Sequence, residues 1–273
     1  MKKLLFIAGA AVALCFIVFH AAFAETVGNP IDINIPSGKG IYSAEMSDFI
    51  TINVGFDAET LIEQKFKYDS AFTLEAPELS GQYYMGRLSC TLFNRVQPYV
   101  KFGYSDLQMK WSDANGTVKV DGGSDFAWAL GVKAYLWEFE GLGLKVFSTA
   151  SYMATEPSKV RVSTRVGSGG ITEKMFKVFQ KQVTAGLSRE FKIGSDYEKI
   201  SLVPYAGIAW SDTTARVRVT QNGNVMNSGA GDQENNFGVF FGTEFLFMDN
   251  LSLNVEGRLI DQTAASVGFT ALF

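Results

Sequence analysis

The chain has 273 residues, of which 47% are hydrophobic and 19% are charged, and its formal net charge is −4. This acidic balance disfavours nucleic acid as a partner, because phosphate binding needs a concentration of Lys and Arg. The length fits one all-β domain or two small ones, and no Pro- or Ser-rich linker divides the sequence.

The N-terminus has the features of a secretory signal peptide. Lys2 and Lys3 form a basic start, residues 4–19 are apolar, and residues 22–24 (Ala-Phe-Ala) supply a cleavage site. An uncleaved anchor is the alternative, but the apolar run is shorter than the roughly 20 residues that span a bilayer as a helix. We therefore expect residues 1–24 to be removed as a signal peptide, residues 25–46 to form an N-terminal periplasmic segment, and residues 47–273 to form the main domain.

The rare residues exclude several kinds of site. The one histidine is His20, and the two cysteines are Cys15 and Cys90. His20 and Cys15 lie in the predicted signal, so the mature chain would have no histidine and one cysteine. Histidine base catalysis, a Ser-His-Asp triad, a His-ligated zinc site and an internal disulfide are then excluded. We predict no cofactor and no metal.

From about residue 47 onward, apolar and polar residues alternate with a period of two, which is typical of strands with two different faces. The segment 251–259, for example, alternates Leu, Leu, Val, Gly and Leu with Ser, Asn, Glu and Arg. The pattern predicts ten strands, with eight as the alternative. The ten segments are 47–56, 79–93, 96–111, 125–137, 142–155, 174–191, 200–211, 236–247, 251–260 and 264–273.

The predicted connections alternate in length. Short turns are expected near 94–95, 138–141, 192–199 and 248–250, and long polar loops near 57–78, 112–124, 156–172 and 211–235. Two of the long loops contain Asn-Gly pairs, Asn115-Gly116 and Asn222-Gly223, which are hairpin signals. Short turns at one end and long loops at the other are typical of a transmembrane β-barrel.

The face opposite the apolar one is rich in Gly, Ser and Thr and carries charged residues. A soluble sandwich would bury those charges at a cost of several kcal/mol each, whereas an enclosed polar lumen accepts them. An open sheet in lipid would leave backbone groups unpaired. The sequence therefore predicts an all-β fold, a closed antiparallel up-and-down transmembrane barrel.

Two further patterns concern side chains at the two surfaces of the barrel. Aromatic residues near the ends of the apolar faces are expected to form interfacial girdles; they are Tyr84, Tyr104, Trp128, Trp137 and Trp210. In an internal echo, five residues separate Pro98-Tyr99 from Ser105-Asp106, and five residues separate Pro204-Tyr205 from Ser211-Asp212. We interpret the Tyr in each copy as another interface anchor.

The predicted inward charges form a lumen charge network of eight residues. They are Arg87, Lys101, Lys133, Lys145, Glu190, Glu244, Glu256 and Arg258. The lysines and the acids fall on different strands, so basic and acidic walls would oppose one another. This network is either a salt-bridged plug, which small barrels favour because their interior is just wide enough for side chains, or the lining of a polar pore.

The last strand, residues 266–273, alternates apolar positions and ends in Phe, with Phe269 and Phe273 on the apolar face. This segment resembles the C-terminal signature that is read by the outer-membrane barrel assembly machinery. With the signal peptide and the hairpin pattern, residues 40–273 resemble the small outer-membrane barrels of the OmpA-barrel, OmpW-like and opacity type. The resemblance implies the bacterial outer membrane as location, and as partners the assembly machinery, outer-membrane lipid and lipopolysaccharide.

These observations predict a non-enzymatic integral outer-membrane protein with a structural or surface-interaction role, whose extracellular ligand the sequence does not name. A small passive porin for polar solutes is the alternative. A hydrolase that uses carboxylates alone is the third hypothesis, since Glu244 and Glu256 would approach one another across neighbouring strands.

Overall fold

The computed structural model describes residues 50–67, 76–92, 95–113, 116–139, 141–157, 160–163, 171–193, 200–221, 224–247 and 251–273. The predicted signal peptide and the predicted periplasmic segment lie outside these residues. No helix in the described ranges is long and apolar enough to cross a membrane.

The described chain is built from β-strands. Their bounds are β1 (Ile50–Lys67), β2 (Glu78–Leu92), β3 (Val96–Asp113), β4 (Gly116–Phe139), β5 (Leu144–Thr155), β6 (Arg161–Ser163), β7 (Ile171–Arg189), β8 (Phe191–Ile193), β9 (Ile200–Gln221), β10 (Asn224–Gln233), β11 (Phe237–Phe247), β12 (Leu251–Leu259) and β13 (Thr263–Leu272).

Ten of these strands form a closed antiparallel ring. Its order is β1-β2-β3-β4-β5-β7-β9-β11-β12-β13, and β13 pairs again with β1, for example Phe56 with Phe269. Closure pairs every strand of the ring on both sides, so no sheet edge is left open at this level. The predicted all-β barrel and its ten strands are confirmed, and the eight-stranded alternative is wrong.

Three ring strands continue far beyond their predicted ends. β1 extends to Lys67, β4 begins at Gly116, and β9 extends to Gln221. Long polar loops were predicted in these segments, and that prediction is wrong for the described residues. In the upper part of β9, the polar residues are the outward half of an alternation whose inward half is apolar: Arg216 is exposed and Val217 is buried.

These extensions form a second structure on top of the ring. We call it the upper barrel: residues 61–67, 78–81, 107–113, 116–122, 171–178 and 215–221, with β6 and β10. β10 pairs with β9 along its length and with β1 at Phe66–Gln233 and Lys67–Asp232. β10 thus occupies the position of β11, β12 and β13, which end lower down. The rest of the ring is called the lower barrel.

Both Asn-Gly pairs were predicted at turns. Gln221 pairs with Asn224 across the β9–β10 hairpin, and Asp113 pairs with Gly116 across the β3–β4 hairpin. Asn115, Asn222 and Gly223 lie outside the described residues, whereas Gly116 is the first residue of β4.

The lower and upper barrels have opposite polarity. The exterior of the lower barrel carries large exposed apolar side chains, which we call the apolar belt: Ile52, Val54, Phe56, Leu88, Val100, Phe102, Leu130, Val132, Val183, Leu187, Ile208, Val239, Phe241 and Phe269. The interior of the upper barrel is an apolar core that includes Leu61, Phe66, Leu79, Leu107, Met109, Trp111, Val120, Val162, Phe176, Val178 and Val217. The sequence did not predict this apolar core, because its segments were expected to be polar loops.

Candidate functional site: the interior of the lower barrel

Charged side chains fill the interior of the lower barrel. Nine of them are no more than 3% exposed: Asp57, Glu59, Arg87, Lys101, Lys133, Glu244, Glu256, Arg258 and Asp261. Eight of the nine lie on the inward face of a strand, since successive side chains of a strand point to opposite faces. The ninth, Asp261, lies in the turn between β12 and β13. Buried charges of this kind are tolerated only when they are paired and hydrogen-bonded.

Six of the eight sequence-predicted lumen charges lie among these nine. Lys145 and Glu190 are only half-buried, close to the turns at the lower end. Lys145 Nζ lies 5.7 Å from the centre of the Tyr135 ring, and Glu190 Oε1 accepts a hydrogen bond of 2.7 Å from Ser201 Oγ.

Asp57 is the centre of a first cluster. Its Oδ2 lies 3.2 Å from Lys101 Nζ and 3.8 Å from Arg87 Nη1. Arg87 Nη2 also donates a hydrogen bond to Thr270 Oγ1. The cluster therefore links β1, β2, β3 and β13, and it spans the point where the ring closes.

The sequence analysis missed Asp57 as a lumen residue because it placed residue 57 at the start of a loop. Asn53, Gly55, Asp57 and Glu59 in fact continue one inward face of β1. The signal was present in the sequence, since the alternation does not stop at residue 56. Asp57 supplies a carboxylate to the basic side chains of Arg87 and Lys101. The sequence had predicted that these cations would face more distant acids across the lumen.

Arg258 and Asp261 form a second cluster at the top of the lower barrel. Arg258 Nε donates to Asp261 Oδ1 at 3.1 Å, Arg258 Nη1 donates to Gln182 Oε1, and Ser211 Oγ donates to Asp261 Oδ2 at 2.9 Å. Ile260 precedes Asp261 with a φ of +86°, the one positive φ outside glycine among the described residues. This strained residue reverses the chain, so that Ile260 is exposed and Asp261 is buried.

Aromatic rings fill the lower part of the interior. Tyr205, Phe147 and Phe240 are mutual neighbours, with ring centres 6.1 to 6.3 Å apart. Tyr205 Oη donates to Glu256 Oε2 at 2.9 Å and accepts from Asn254 Nδ2 at 2.8 Å. A Cβ atom at Gly242, the cross-strand partner of Tyr205, would lie 2.4 Å from the tyrosine ring. Gly242 therefore makes room for the Tyr205 ring, because it has no side chain.

Tyr99 occupies an equivalent position on β3. It is buried opposite Gly131, and the ammonium groups of Lys101 and Lys133 each lie 5.6 Å from its ring centre. The interpretation of Tyr99 and Tyr205 as interface anchors is therefore wrong. Both point inward, because each lies an odd number of residues from the outward aromatic of its strand, Tyr104 or Trp210.

A small cavity lies beside these groups, between Glu59, Gln64, Gln180 and Gln262. Its volume is about 10 Å³, which is room for about one water molecule. Gln64 Nε2 donates to Thr213 Oγ1 and to Gln233 Oε1, both at 2.9 Å. The polar layer thus continues to the base of the apolar core.

The predicted interface aromatics lie on the exterior. Tyr84, Tyr104, Trp137 and Trp210 are exposed, while Trp128 is half-buried, with its ring centre 5.6 Å from that of Tyr152. Trp137 is near the lower turns and the others are near the upper edge of the belt. Phe269 and Phe273, the predicted assembly signal, are also exposed.

Comparison with known proteins gives matches among solved structures only. The sequence matches no known protein family and no curated protein sequence. Three similar structures are the outer membrane protein OprG from Pseudomonas aeruginosa (8% identity, TM-score 0.44, 82% of this chain and 96% of that chain), the translocator domain of autotransporter NalP from Neisseria meningitidis (9%, 0.42, 86% and 90%) and the COG4313 outer membrane channel from Pseudomonas putida F1 (12%, 0.31, 88% and 100%).

At such identities and scores these matches carry no argument about function, and the fold rests on the geometry described above. A closed ten-stranded antiparallel barrel combines an apolar belt outside with paired charges inside. The architecture is that of a small outer-membrane β-barrel.

Proposed function

We propose that this protein is an integral outer-membrane barrel with a closed lumen, which serves envelope structure or surface interaction and is not an enzyme. The apolar belt supports insertion into lipid, because an exposed apolar surface of this extent is unfavourable in water. The upper barrel has a polar exterior, which suits a position outside the membrane.

The observation that carries the closed lumen is the packing of its interior. A solute that crossed the barrel would meet the Tyr205 ring cluster, then the charged clusters of Asp57 and Arg258, and then the apolar core of the upper barrel. Each of these layers consists of buried side chains in contact across the interior. This arrangement supports a salt-bridged plug rather than the lining of a pore.

The interior also argues against carboxylate catalysis. Glu244 and Glu256 lie on neighbouring strands, where Glu256 pairs with Gly242 in the register. They are 0% and 2% exposed, and Glu256 accepts a hydrogen bond from Tyr205. A hydrolase needs both carboxylates beside a substrate and a water molecule, whereas these two carboxylates are buried among other side chains.

The test is single-channel recording in planar bilayers after the envelope fraction has shown heat-modifiable gel migration. We expect no reproducible openings from the unmodified protein. The double variant Tyr205→Ala/Phe240→Ala removes two rings of the cluster and so widens the lumen. It is the matched control for the unmodified protein. Reproducible openings of the unmodified protein would favour the passive porin, and recovery of the protein in the soluble periplasmic fraction would overturn membrane insertion.

A further inference from the structure

The small cavity of the polar layer lies directly beneath the apolar core of the upper barrel. Leu61 and Val178, which belong to that core, form part of its lining. The other lining residues carry a carboxylate, an amide or a hydroxyl group: Glu59, Gln64, Tyr83, Gln180, Thr213 and Gln262. They come from β1 and β2, from β7 and β9 on the opposite side of the ring, and from the β12–β13 turn. The cavity is therefore in the interior and not in the barrel wall.

The polar groups around the cavity are shielded from bulk water. Glu59, Gln64, Gln180 and Gln262 are each no more than 4% exposed. With a volume of about 10 Å³, the cavity has room for a single water molecule or a single ion of that size. Any ion in it would be dehydrated, so side-chain oxygens would have to replace its hydration shell.

Hydrogen bonding leaves oxygens available on the β1 side of the cavity. Gln64 Nε2 donates to Thr213 Oγ1 and to Gln233 Oε1, both at 2.9 Å. Both amide hydrogens of Gln64 are then used, and its remaining capacity is to accept through Oε1. An ionised Glu59 carboxylate is an acceptor only. On the opposite side, Gln180 Nε2 donates to Gln262 Oε1 at 3.3 Å, which leaves the Gln180 amide oxygen as another acceptor.

The buried charges of the interior are not equal in number. Among the described residues, the buried acids are Asp57, Glu59, Glu244, Glu256 and Asp261, and the buried bases are Arg87, Lys101, Lys133 and Arg258. Five carboxylates against four cations leave one negative charge in excess. The half-buried pair Lys145 and Glu190 at the lower end does not change this balance. An excess charge in a packed interior is strongly destabilising unless a counter-ion or a proton neutralises it.

The negative excess is greatest at the height of the cavity. Glu59 pairs with Tyr83, Tyr83 with Ser105, and Ser105 with Asp125 in one row of the sheet register. Asp125 is half-buried on the inward face of β4, and it adds a second carboxylate to this row. The nearby Arg258 guanidinium donates to Asp261 at 3.1 Å, so that cation already has a carboxylate of its own.

We propose that this cavity holds one dehydrated monovalent cation of about the size of potassium, with the Glu59 carboxylate and the amide oxygens of Gln64 and Gln180 as ligands. A single positive charge matches the excess of one carboxylate. No group of three or more acidic, histidine or cysteine side chains that could hold a multivalent metal occurs in the described part of the chain. The bound ion would join β1 to β7 across the interior, beneath the apolar core.

This site goes beyond the proposed function, because it concerns the interior and does not depend on what the exterior contacts. The probe is rubidium, which resembles potassium in size and charge. Full-length protein is refolded in neutral detergent with rubidium chloride and passed by gel filtration into choline chloride, since choline is too large for the cavity. Rubidium per chain is then measured by atomic emission, after heat-modifiable migration has shown that the sample is folded.

The matched variants are Glu59→Gln, at the cavity, and Glu256→Gln, at the Tyr205 ring cluster. We expect one rubidium ion per folded chain for the unmodified protein and for Glu256→Gln, and none for Glu59→Gln. The midpoint of urea unfolding of the unmodified protein should also rise by about 0.5 M or more when potassium chloride replaces choline chloride, because the cation binds only the folded state. Glu59→Gln should have the same midpoint in both salts.

Folded, unmodified protein that retains no rubidium would overturn the site, and a protonated carboxyl would then account for the charge balance. This measurement decides the matter even if Glu59→Gln does not fold. Equal rubidium in the two variants would also overturn the site, because the ion would then follow the total charge of the lumen. If the unmodified protein shows no heat-modifiable form, the proposed function is wrong instead.

Discussion

The lower and upper barrels share the same strands but reverse the polarity of their two faces. In β3, Phe102 is exposed and Lys101 is buried, whereas a few residues later Lys110 is exposed and Met109 is buried. The alternation itself does not change, and odd residues of β3 point inward throughout. What changes is the chemistry at each position.

The polarity of the outward and inward side chains of a strand therefore depends on the medium outside the barrel as well as on the fold. In lipid, an apolar exterior has no cost, and the interior is free to hold paired charges. In water, the exterior must be polar and stability must come from an apolar core. The height at which the polarity reverses, between Tyr104 and Leu107 on β3, therefore marks the proposed upper surface of the membrane.

The largest expected effect tests the paired charges inside the ring. Arg258→Met should lower the free energy of unfolding by about 3–5 kcal/mol, because it leaves the Asp261 carboxylate buried without its cation. The measurement is urea unfolding in lipid vesicles, scored by the heat-modifiable gel band. The double variant Arg258→Met/Asp261→Leu should lose clearly less, and a single variant that costs under about 1 kcal/mol would contradict a dry, paired interior.

The next effect compares the two exteriors directly. Leu130→Lys places a charge on the apolar belt and should cost about 2–4 kcal/mol in the same unfolding assay. Gln108→Lys makes a similar change on the exterior of the upper barrel and should stay within about 0.5 kcal/mol. If the two substitutions cost the same, the reversal of polarity does not reflect a change of medium.

The smallest effect compares a buried with an exposed tyrosine hydroxyl. Tyr205→Phe removes the group that donates to Glu256 and accepts from Asn254, at an expected cost of about 1–3 kcal/mol. Tyr84→Phe removes a hydroxyl that donates to Gln82 on the exterior at 2.8 Å, and should cost less than about 0.5 kcal/mol. A similar loss for both would mean that water reaches the lower interior.

The sequence predicted the fold well because alternation with a period of two is a local signal that repeats along every strand. All ten ring strands were located, and Glu244, Glu256 and Arg258 were placed on inward faces, where the structure has them. The upper barrel was not predicted. Its outward residues, such as Arg216 and Lys119, gave the segments the polar composition of loops, and the inward valines between them were overlooked.

The partners within the lumen could not be predicted from sequence either. The hydrogen bond from Arg87 to Thr270 crosses the point where β13 pairs with β1, and register across closure depends on all ten strands together. The inward turn at Asp261 depends on the positive φ of Ile260, which a β-branched residue rarely adopts. Neither feature has a local signal in the sequence.

Cys90 provides the most direct test of the central claim, that the belt of the lower barrel lies in lipid and the upper barrel in water. It lies on the outward face of β2 as the cross-strand partner of Ile52, and Gln108→Cys in a Cys90→Ser background places a thiol on the upper exterior. With the protein in vesicles and a fluorophore on each thiol in turn, brominated lipid should quench the label at Cys90 and aqueous iodide the label at position 108. Quenching of the Cys90 label by iodide, with no effect of brominated lipid, would contradict the account.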